Sequence, residues 1–325
     1  MQHALITGGA GFIGSHLAGL LLDRGWRVTA IDDLSTGSLA NVQHLVDLAG
    51  REQFQVVVET IANAAVLDRL ASQCDVIFHL AASVGVQLIL QRPVHTIENN
   101  VMGTEAVLKA ALRYRAKVLV ASTSEVYGKS ARVPYSEDDD ALLGPTARSR
   151  WAYAASKMVD EFLALAYHRE YGLPAVVFRL FNTVGPRQSG QYGMVVPRFV
   201  QQALAGQPLT VYGDGMQSRC FCNVLDAARA IAGLAYAPGA VGQVFNIGST
   251  EEITILDLAH WVRALAGSNS PIELVPYGEA FADAGFEDMQ RRVPDTTKIE
   301  AAIGWRPEHG LDATLRQVIA YYRAA

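Results

Sequence analysis

The octapeptide Thr7-Gly8-Gly9-Ala10-Gly11-Phe12-Ile13-Gly14 joins the apolar run His3-Ala4-Leu5-Ile6-Thr7 to a helical pattern from Phe12 to Asp23. A strand that must turn at once into a helix has little room for side chains where the two backbones cross. Glycines at 8, 11 and 14 permit a tight turn, a close approach of backbone N–H groups to a ligand, and close packing of helix on strand. Ile13, Leu17, Leu20 and Leu21 lie on one face of that helix, and Gly25 stops it. A second apolar run, Arg27 to Ile31, then leads into Asp32 and Asp33.

Further apolar runs follow at Phe54–Val58, Asp75–Leu80, Lys117–Ala121 and Ala175–Leu180, with helical stretches between them. This rhythm predicts an α/β fold: a Rossmann-type, doubly wound parallel sheet with helices on both faces. Beyond residue 180 the rhythm loosens. Short runs (Leu209–Val211, Val244–Ile247) mix with helices, one of them opened by Thr254 and Asp257 as a capping box. The expected organisation is a dinucleotide-binding domain over 1–178 and a smaller mixed α/β substrate lobe over 179–325, with the chain crossing back between them. The acidic run Glu137-Asp138-Asp139-Asp140 reads as a solvated loop.

Composition narrows the function classes. The chain has 325 residues, half of them hydrophobic and 18% charged, which suits a large soluble core. A net charge of -5 argues against binding nucleic acid, which asks for a basic face. No stretch approaches the roughly 20 apolar residues that span a bilayer. Met1-Gln2-His3 leads straight into a strand without a secretory signal, so the cytoplasm is the expected location and no membrane partner is expected. The three cysteines, Cys74, Cys220 and Cys222, make no even disulfide framework. Cys-Phe-Cys lacks a second ligand pair at finger spacing, and no metal is expected.

Asp32 ends the second strand 18 residues beyond Gly14. A carboxylate there accepts hydrogen bonds from the adenosine ribose hydroxyls and repels a 2′-phosphate, so NAD is expected rather than NADP. The simpler reading of Asp32-Asp33 is a turn. A second constellation lies on the helical pattern from Trp151 to Tyr171, where Tyr153 and Lys157 stand one turn apart on one face. A free tyrosine has a pKa of about 10. A nearby ammonium and the positive nicotinamide are expected to bring Tyr153 toward the working range, so that it takes a proton from a sugar hydroxyl. The strand Lys117–Ala121 ends in Ser122-Thr123-Ser124-Glu125-Val126-Tyr127-Gly128. One hydroxyl there would suit a cap; the whole cluster suits a strand end that faces the nicotinamide and the substrate, with Thr123 holding the reacting hydroxyl.

The glycine turn, Asp32, His79-Leu80-Ala81-Ala82, Asn99-Asn100-Val101, the Thr123 cluster, Tyr-xxx-Lys and Arg179-Leu180-Phe181-Asn182 together resemble the extended short-chain dehydrogenase/reductases. More narrowly, the chain is similar to the nucleotide-sugar 4-epimerases, dehydratases and decarboxylases of that family, over nearly its whole length. The resemblance implies that Gly8, Gly11, Phe12, Ile13, Gly14, Asp32, Asp33, Ile61, Leu80, Ala81, Ala82, Asn100, Tyr153 and Lys157 serve NAD. It implies a catalytic set of Thr123, Tyr153 and Lys157, joined by Ser124 and Glu125. For a nucleotide-diphosphate sugar, with UDP foremost, it implies Ser83, Val84, Thr123, Ser124, Asn182, Val195, Arg219, Arg292 and Asp295, the two arginines neutralising the diphosphate and Asp295 reaching the ribose. Many relatives carry an Asp-Ile pair near the adenine, where this chain has Thr60-Ile61.

The implied chemistry starts with oxidation of the sugar at C4. Ser124 stands where the dehydratases have an aspartate, which disfavours dehydration. A 4-epimerase acting on a UDP-hexose or UDP-hexuronate is the first expectation and a UDP-glucuronate decarboxylase the second, the Thr-Ser-Glu order with Arg292 being similar to the latter. A non-catalytic NAD-binding scaffold is the remote third, since it would need no Tyr-Lys-Thr set. The resemblance also implies a homodimer through a four-helix bundle of helices 94–114 and 151–171, the second carrying Met158, Phe162, Leu165 and Ala166 at helical spacing.

Overall fold

The apolar runs of the first half become β1 (His3–Thr7), β2 (Arg27–Asp32), β3 (Phe54–Val58), β4 (Val76–His79), β5 (Lys117–Thr123) and β6 (Ala175–Leu180). The computed structural model describes residues 1–85, 92–190, 194–280, 287 and 289–324. Four short strands follow, β7 (Thr183–Val184), β8 (Leu209–Tyr212), β9 (Ser218–Cys220) and β10 (Cys222–Asn223), before β11 (Val244–Ile247). The main sheet has seven strands in the order β11-β6-β5-β4-β1-β2-β3, with every pairing parallel.

Both faces of this sheet are covered, which is why β1 and β4 are buried at every position. Alternate side chains feed two cores. Ile6, Phe78 and Leu119 pack on one side with Leu17 and Leu21 of α1 (Phe12–Asp23), and Leu5, Ile77 and Val118 pack on the other. The second side is covered by α3 (Ala64–Ala71), α4 (Pro93–Tyr114) and α5 (Ala152–Tyr171), through residues such as Leu67, Val107 and Ala164. The short α2 (Gln43–Gln53) leads into β3. Because β2 and β3 lie on one side of β1 and β4 on the other, the loops after β1 and β4 diverge and leave a crevice at the carboxyl ends of the strands.

Residues beyond 180 are shared between two layers. Helices α6 (Val195–Leu204) and α8 (Ile255–Leu265) and the C-terminal helix Leu311–Ala324 build a separate core around Phe199, Leu258 and Leu315. Thr254 caps α8, its Oγ1 accepting the Asp257 N–H at 3.0 Å, as its spacing predicts. By contrast α7 (Val224–Tyr236) packs on the large sheet through Ile231 and Leu234. The run Val244–Ile247, grouped in the sequence with the smaller lobe, extends the large sheet as β11 beside β6. A short apolar run cannot announce its partner; pairing with an open sheet edge decides it.

β11 also fixes the walls of the crevice. Fully buried Asn246 accepts a hydrogen bond from Tyr127 Oη at 2.7 Å and donates to the carbonyls of Tyr135 at 2.9 Å and Asp295 at 3.2 Å. Its backbone N–H donates to Glu137 Oε1 at 2.7 Å. Asp139 is bonded too, to the Ser136 N–H at 2.8 Å and to Arg132 at 3.2 Å, while Asp138 and Asp140 are exposed. The acidic run is therefore half structural, not a solvated loop. Replacing Asn246 by Ala strips three buried partners of a hydrogen bond, so thermal or urea unfolding of Asn246→Ala should show a loss of about 2 kcal/mol or more.

Candidate active site

Gly11 stands at the N-cap of helix α1 and no side chain caps it, so the first N–H groups of the helix are left for a ligand. The turn before it has no space for side chains. A Cβ on Gly14 would lie 2.2 Å from the Gly8 carbonyl oxygen, and one on Gly8, whose φ is +70°, 2.9 Å from the Ala81 nitrogen. Asp32 closes the adjoining wall. Its two oxygens accept the N–H groups of Ala10 and Leu34, both at 2.9 Å. Burial pushes its carboxyl up, against the pull of those two N–H groups.

A cavity runs along this turn, lined by Gly8, Gly11, Phe12, Ile13, Gly14, Asp32, Asp33, Ile61, Leu80, Ala81, Ala82, Tyr153 and Lys157. These sequence-selected positions are thus brought together from β1, β2, β4 and α5. Thr60 lines it beside Ile61, where relatives would have the acid. Asn100 is not on the wall. It is buried under it, accepting the Ser83 N–H at 2.8 Å and donating to Ser156 Oγ at 3.0 Å, while its neighbour Asn99 faces the cavity. Ser83 is tied into the same cluster and is not on the wall of this cavity, but Val84 is. The uncapped helix, the glycine cradle and the acid at the end of β2 fit a dinucleotide.

A second cavity opens from the first, the two sharing Phe12, Ile13, Val84, Ser122, Tyr153 and Leu180 among their walls. Tyr153 therefore stands at the junction. The second cavity brings in Thr123, Glu125, Asn182, Val195, Arg219 and Arg292 as expected from sequence, and adds Arg150, Arg198, Tyr212 and Tyr277. Asp295 is elsewhere; its Oδ1 accepts the Thr297 N–H at 2.9 Å and starts the next helix.

The polar cluster after β5 divides its labour. Ser122 donates to Glu161 and Tyr127 to Asn246, so these two hold the strand end in place and are not free for substrate. Thr123 accepts the Glu125 N–H at 3.2 Å and also bonds the Tyr153 phenol. Ser124, fully buried, accepts from Arg292 at 3.3 Å. Glu125 is clamped between Arg150 at 2.5 Å and Arg292 at 3.7 Å. Burial alone would push its carboxyl up, but the Arg150 and Arg292 guanidiniums outweigh that and hold it below the usual carboxylate range.

Tyr153 departs from the sequence expectation. Its phenol is pushed up, first by burial and then by the Glu125 charge, against the Thr123 hydrogen bond. Lys157 does not turn to it. Among the described residues the Lys157 ammonium makes its hydrogen bond to Asp160, at 2.6 Å. Arg150, Arg198, Tyr212, Tyr277 and Asp160 are groups that sequence reasoning missed. Buried charges look like surface ones in a sequence, and only their counter-charges across the fold reveal them.

The match with known proteins extends over the whole chain. The family model described as GDP-mannose 4,6 dehydratase matches residues 5–318. A UDP-N-acetyl-alpha-D-glucosaminuronate decarboxylase from Bacillus cytotoxicus is 41% identical over 323 residues, covering 99% of this chain and 98% of that one. UDP-glucuronic acid decarboxylase 1 from Danio rerio is 37% identical over 321 residues, covering 99% of this chain and 72% of that one. Among solved structures, a UDP-glucuronic acid 4-epimerase from Bacillus cereus, in complex with UDP-glucuronic acid and NAD, superposes with a TM-score of 0.87 at 29% identity, covering 99% of each chain. With this fold, this site and these matches, the chain belongs to the GDP-mannose 4,6 dehydratase family, within the extended short-chain dehydrogenase/reductases that act on nucleotide sugars.

Proposed function

We propose that the protein is an NAD-dependent decarboxylase of a UDP-linked hexuronate. The observation that carries this reading is the charge of the second cavity. Among the described residues its walls hold four arginines, Arg150, Arg198, Arg219 and Arg292, and one acid, Glu125, a balance of +3. A diphosphate joined to a sugar and a nucleoside carries two negative charges, and a uronate carboxylate adds the third. A neutral hexose would leave one buried arginine charge uncompensated, a costly arrangement. The names of the relatives at 41% and 37% identity support the same choice over the 4-epimerase that sequence alone puts first. Residues 1–178 would carry mainly the cofactor and residues 179–325 mainly the nucleotide sugar, with Arg150 and Glu125 reaching across that division.

NAD, bound along the glycine turn, would supply a positive charge beside the phenol and accept and later return the C4 hydrogen, so that no NADH accumulates. Tyr153 takes the proton from the C4 hydroxyl, which Thr123 orients. The product is a β-keto acid. The C5–C6 bond then breaks, CO2 leaves, and the electron pair moves onto the C4 oxygen as an enolate. Tyr153 and Thr123 hydrogen-bond that oxygen where charge develops. Glu125, kept ionised by its two arginines, holds those guanidiniums in the cavity where the uronate is bound. A proton taken up from water adds at C5 and completes the loss of CO2, and Tyr153 returns the proton at C4 as the ketone is reduced.

The second reading, a 4-epimerase acting on the same acid, is favoured by the likeness to the Bacillus cereus enzyme. Incubation with UDP-glucuronate, and separately with UDP-N-acetylglucosaminuronate, distinguishes them. A decarboxylase releases CO2 and yields a UDP-pentose by NMR without net NADH; a 4-epimer formed without CO2 would replace this reading with the second.

Tyr153→Phe should still bind NAD yet lose roughly 10²–10⁴ of turnover, the usual worth of a positioned acid/base. Turnover near wild type would remove Tyr153 from the mechanism.

Assembly is also proposed. On the outer faces of α4 and α5, Met102 and Phe162 are each 63% exposed, with Val94, Ile97 and Val159 exposed nearby. Two adjacent helices presenting such a patch suit a second copy of the chain. Light scattering at micromolar protein should return the mass of a dimer, and a monomer mass would refute the bundle.

A further inference from the structure

Helix α5 carries three groups in sequence along one side: Tyr153, Lys157 one turn later and Asp160 one turn beyond that. Lys157 stands between the other two on the helix, and its ammonium bonds Asp160, with the lysine side chain 3% and the aspartate 0% exposed. Thr104 of α4 neighbours that carboxylate and meets His79 Nε2 at 3.0 Å, while His79 Nδ1 meets Thr7 Oγ1 at 2.8 Å. Thr7 Oγ1 in turn accepts the Ala81 N–H at 3.2 Å, so the chain of bonds ends on the loop that lines the cofactor cavity.

We propose that Asp160 is a positioning residue that draws the Lys157 ammonium away from the Tyr153 phenol and so sets the pH range over which the phenol serves as base. The proposal rests on the reading of Tyr153 as the proton acceptor. The Tyr153 phenol is faced by Glu125 from the turn after β5, by Arg292 from the two-residue strand Arg291–Arg292 and by Asp160 from its own helix. Behind these stand Arg150 against Glu125, His79 against Lys157 and Glu161 against Asp160. Burial and the two carboxylates raise the phenol, so the phenolate form is reached only at higher pH. Removing the Asp160 charge acts in the opposite sense: the ammonium is left uncompensated, the phenolate is favoured, and the acid limb of activity moves to lower pH.

The test compares wild type with Asp160→Asn, Asp160→Glu and Tyr153→Phe. The phenolate absorbance of each protein is titrated with pH in the NAD-loaded state, subtracting Tyr153→Phe to isolate the one tyrosine. This readout needs no sugar substrate, so it stands even if the decarboxylase reading fails, which the product assay alone decides. Asp160→Asn should lower the apparent pKa of Tyr153 by about one unit, a tenfold change in the phenolate ratio. The acid limb of kcat/KM should follow it, and Asp160→Glu, which keeps the charge, should stay near wild type. If Asp160→Asn does not fold, Asp160→Ser makes the same charge change in a smaller side chain. A folded charge-removing variant whose tyrosine titration and pH profile both match wild type would overturn the proposal.

Discussion

A carboxylate taken out of water must find its counter-charge, and the site of this protein is organised around that requirement. Glu125 finds two guanidiniums, Arg150 from the turn before α5 and Arg292 from the far end of the chain. Asp160 finds Lys157. The Glu125 pairs force elements distant in sequence to meet at the end of β5, within the crevice that the order of the sheet leaves open, while the Lys157–Asp160 pair lies within one helix. The cost of burying these ions is met by close pairing, and the result is a cavity of defined charge.

That charge connects the fold to chemistry. A parallel sheet with a glycine-rich first turn binds a dinucleotide in many proteins of unrelated activity, so the fold by itself leaves the reaction open. The second cavity adds what the fold does not: three net positive charges on its described walls, and Tyr153 at the point where it meets the first. The same arrangement explains why Tyr153 is not simply activated by its neighbouring lysine. Its environment is acidic on two sides, from Glu125 and Asp160, with the Arg292 charge acting against them.

The support of the site is hydrogen-bonded as well as apolar. Asn246 binds the 127–137 loop and the 295 region to the sheet, while Ser122, Glu161 and Arg179 brace the end of β5, with Arg179 donating to Glu161 at 2.7 Å. Residues that look like candidates for catalysis in a linear reading, Ser122 and Tyr127 above all, are consumed by this scaffold. A polar side chain at the end of a buried strand has two uses, and its neighbours in space decide between them.

The sequence by itself determined the parallel α/β architecture, the glycine turn, Asp32 and the Tyr153–Lys157 spacing, because each depends on local periodicity or on the steric needs of one turn. Helix α1 spans Phe12–Asp23 as its pattern predicts. Only the tertiary structure decided that Val244–Ile247 joins the large sheet, that Asn100 and Asp295 support the walls without lining them, and that Lys157 pairs with Asp160. It also decided that Arg150 is buried against Glu125, 25 residues away in the chain. These outcomes turn on which charges and hydrogen-bonding groups meet across the fold, and such meetings leave no periodic trace in a sequence.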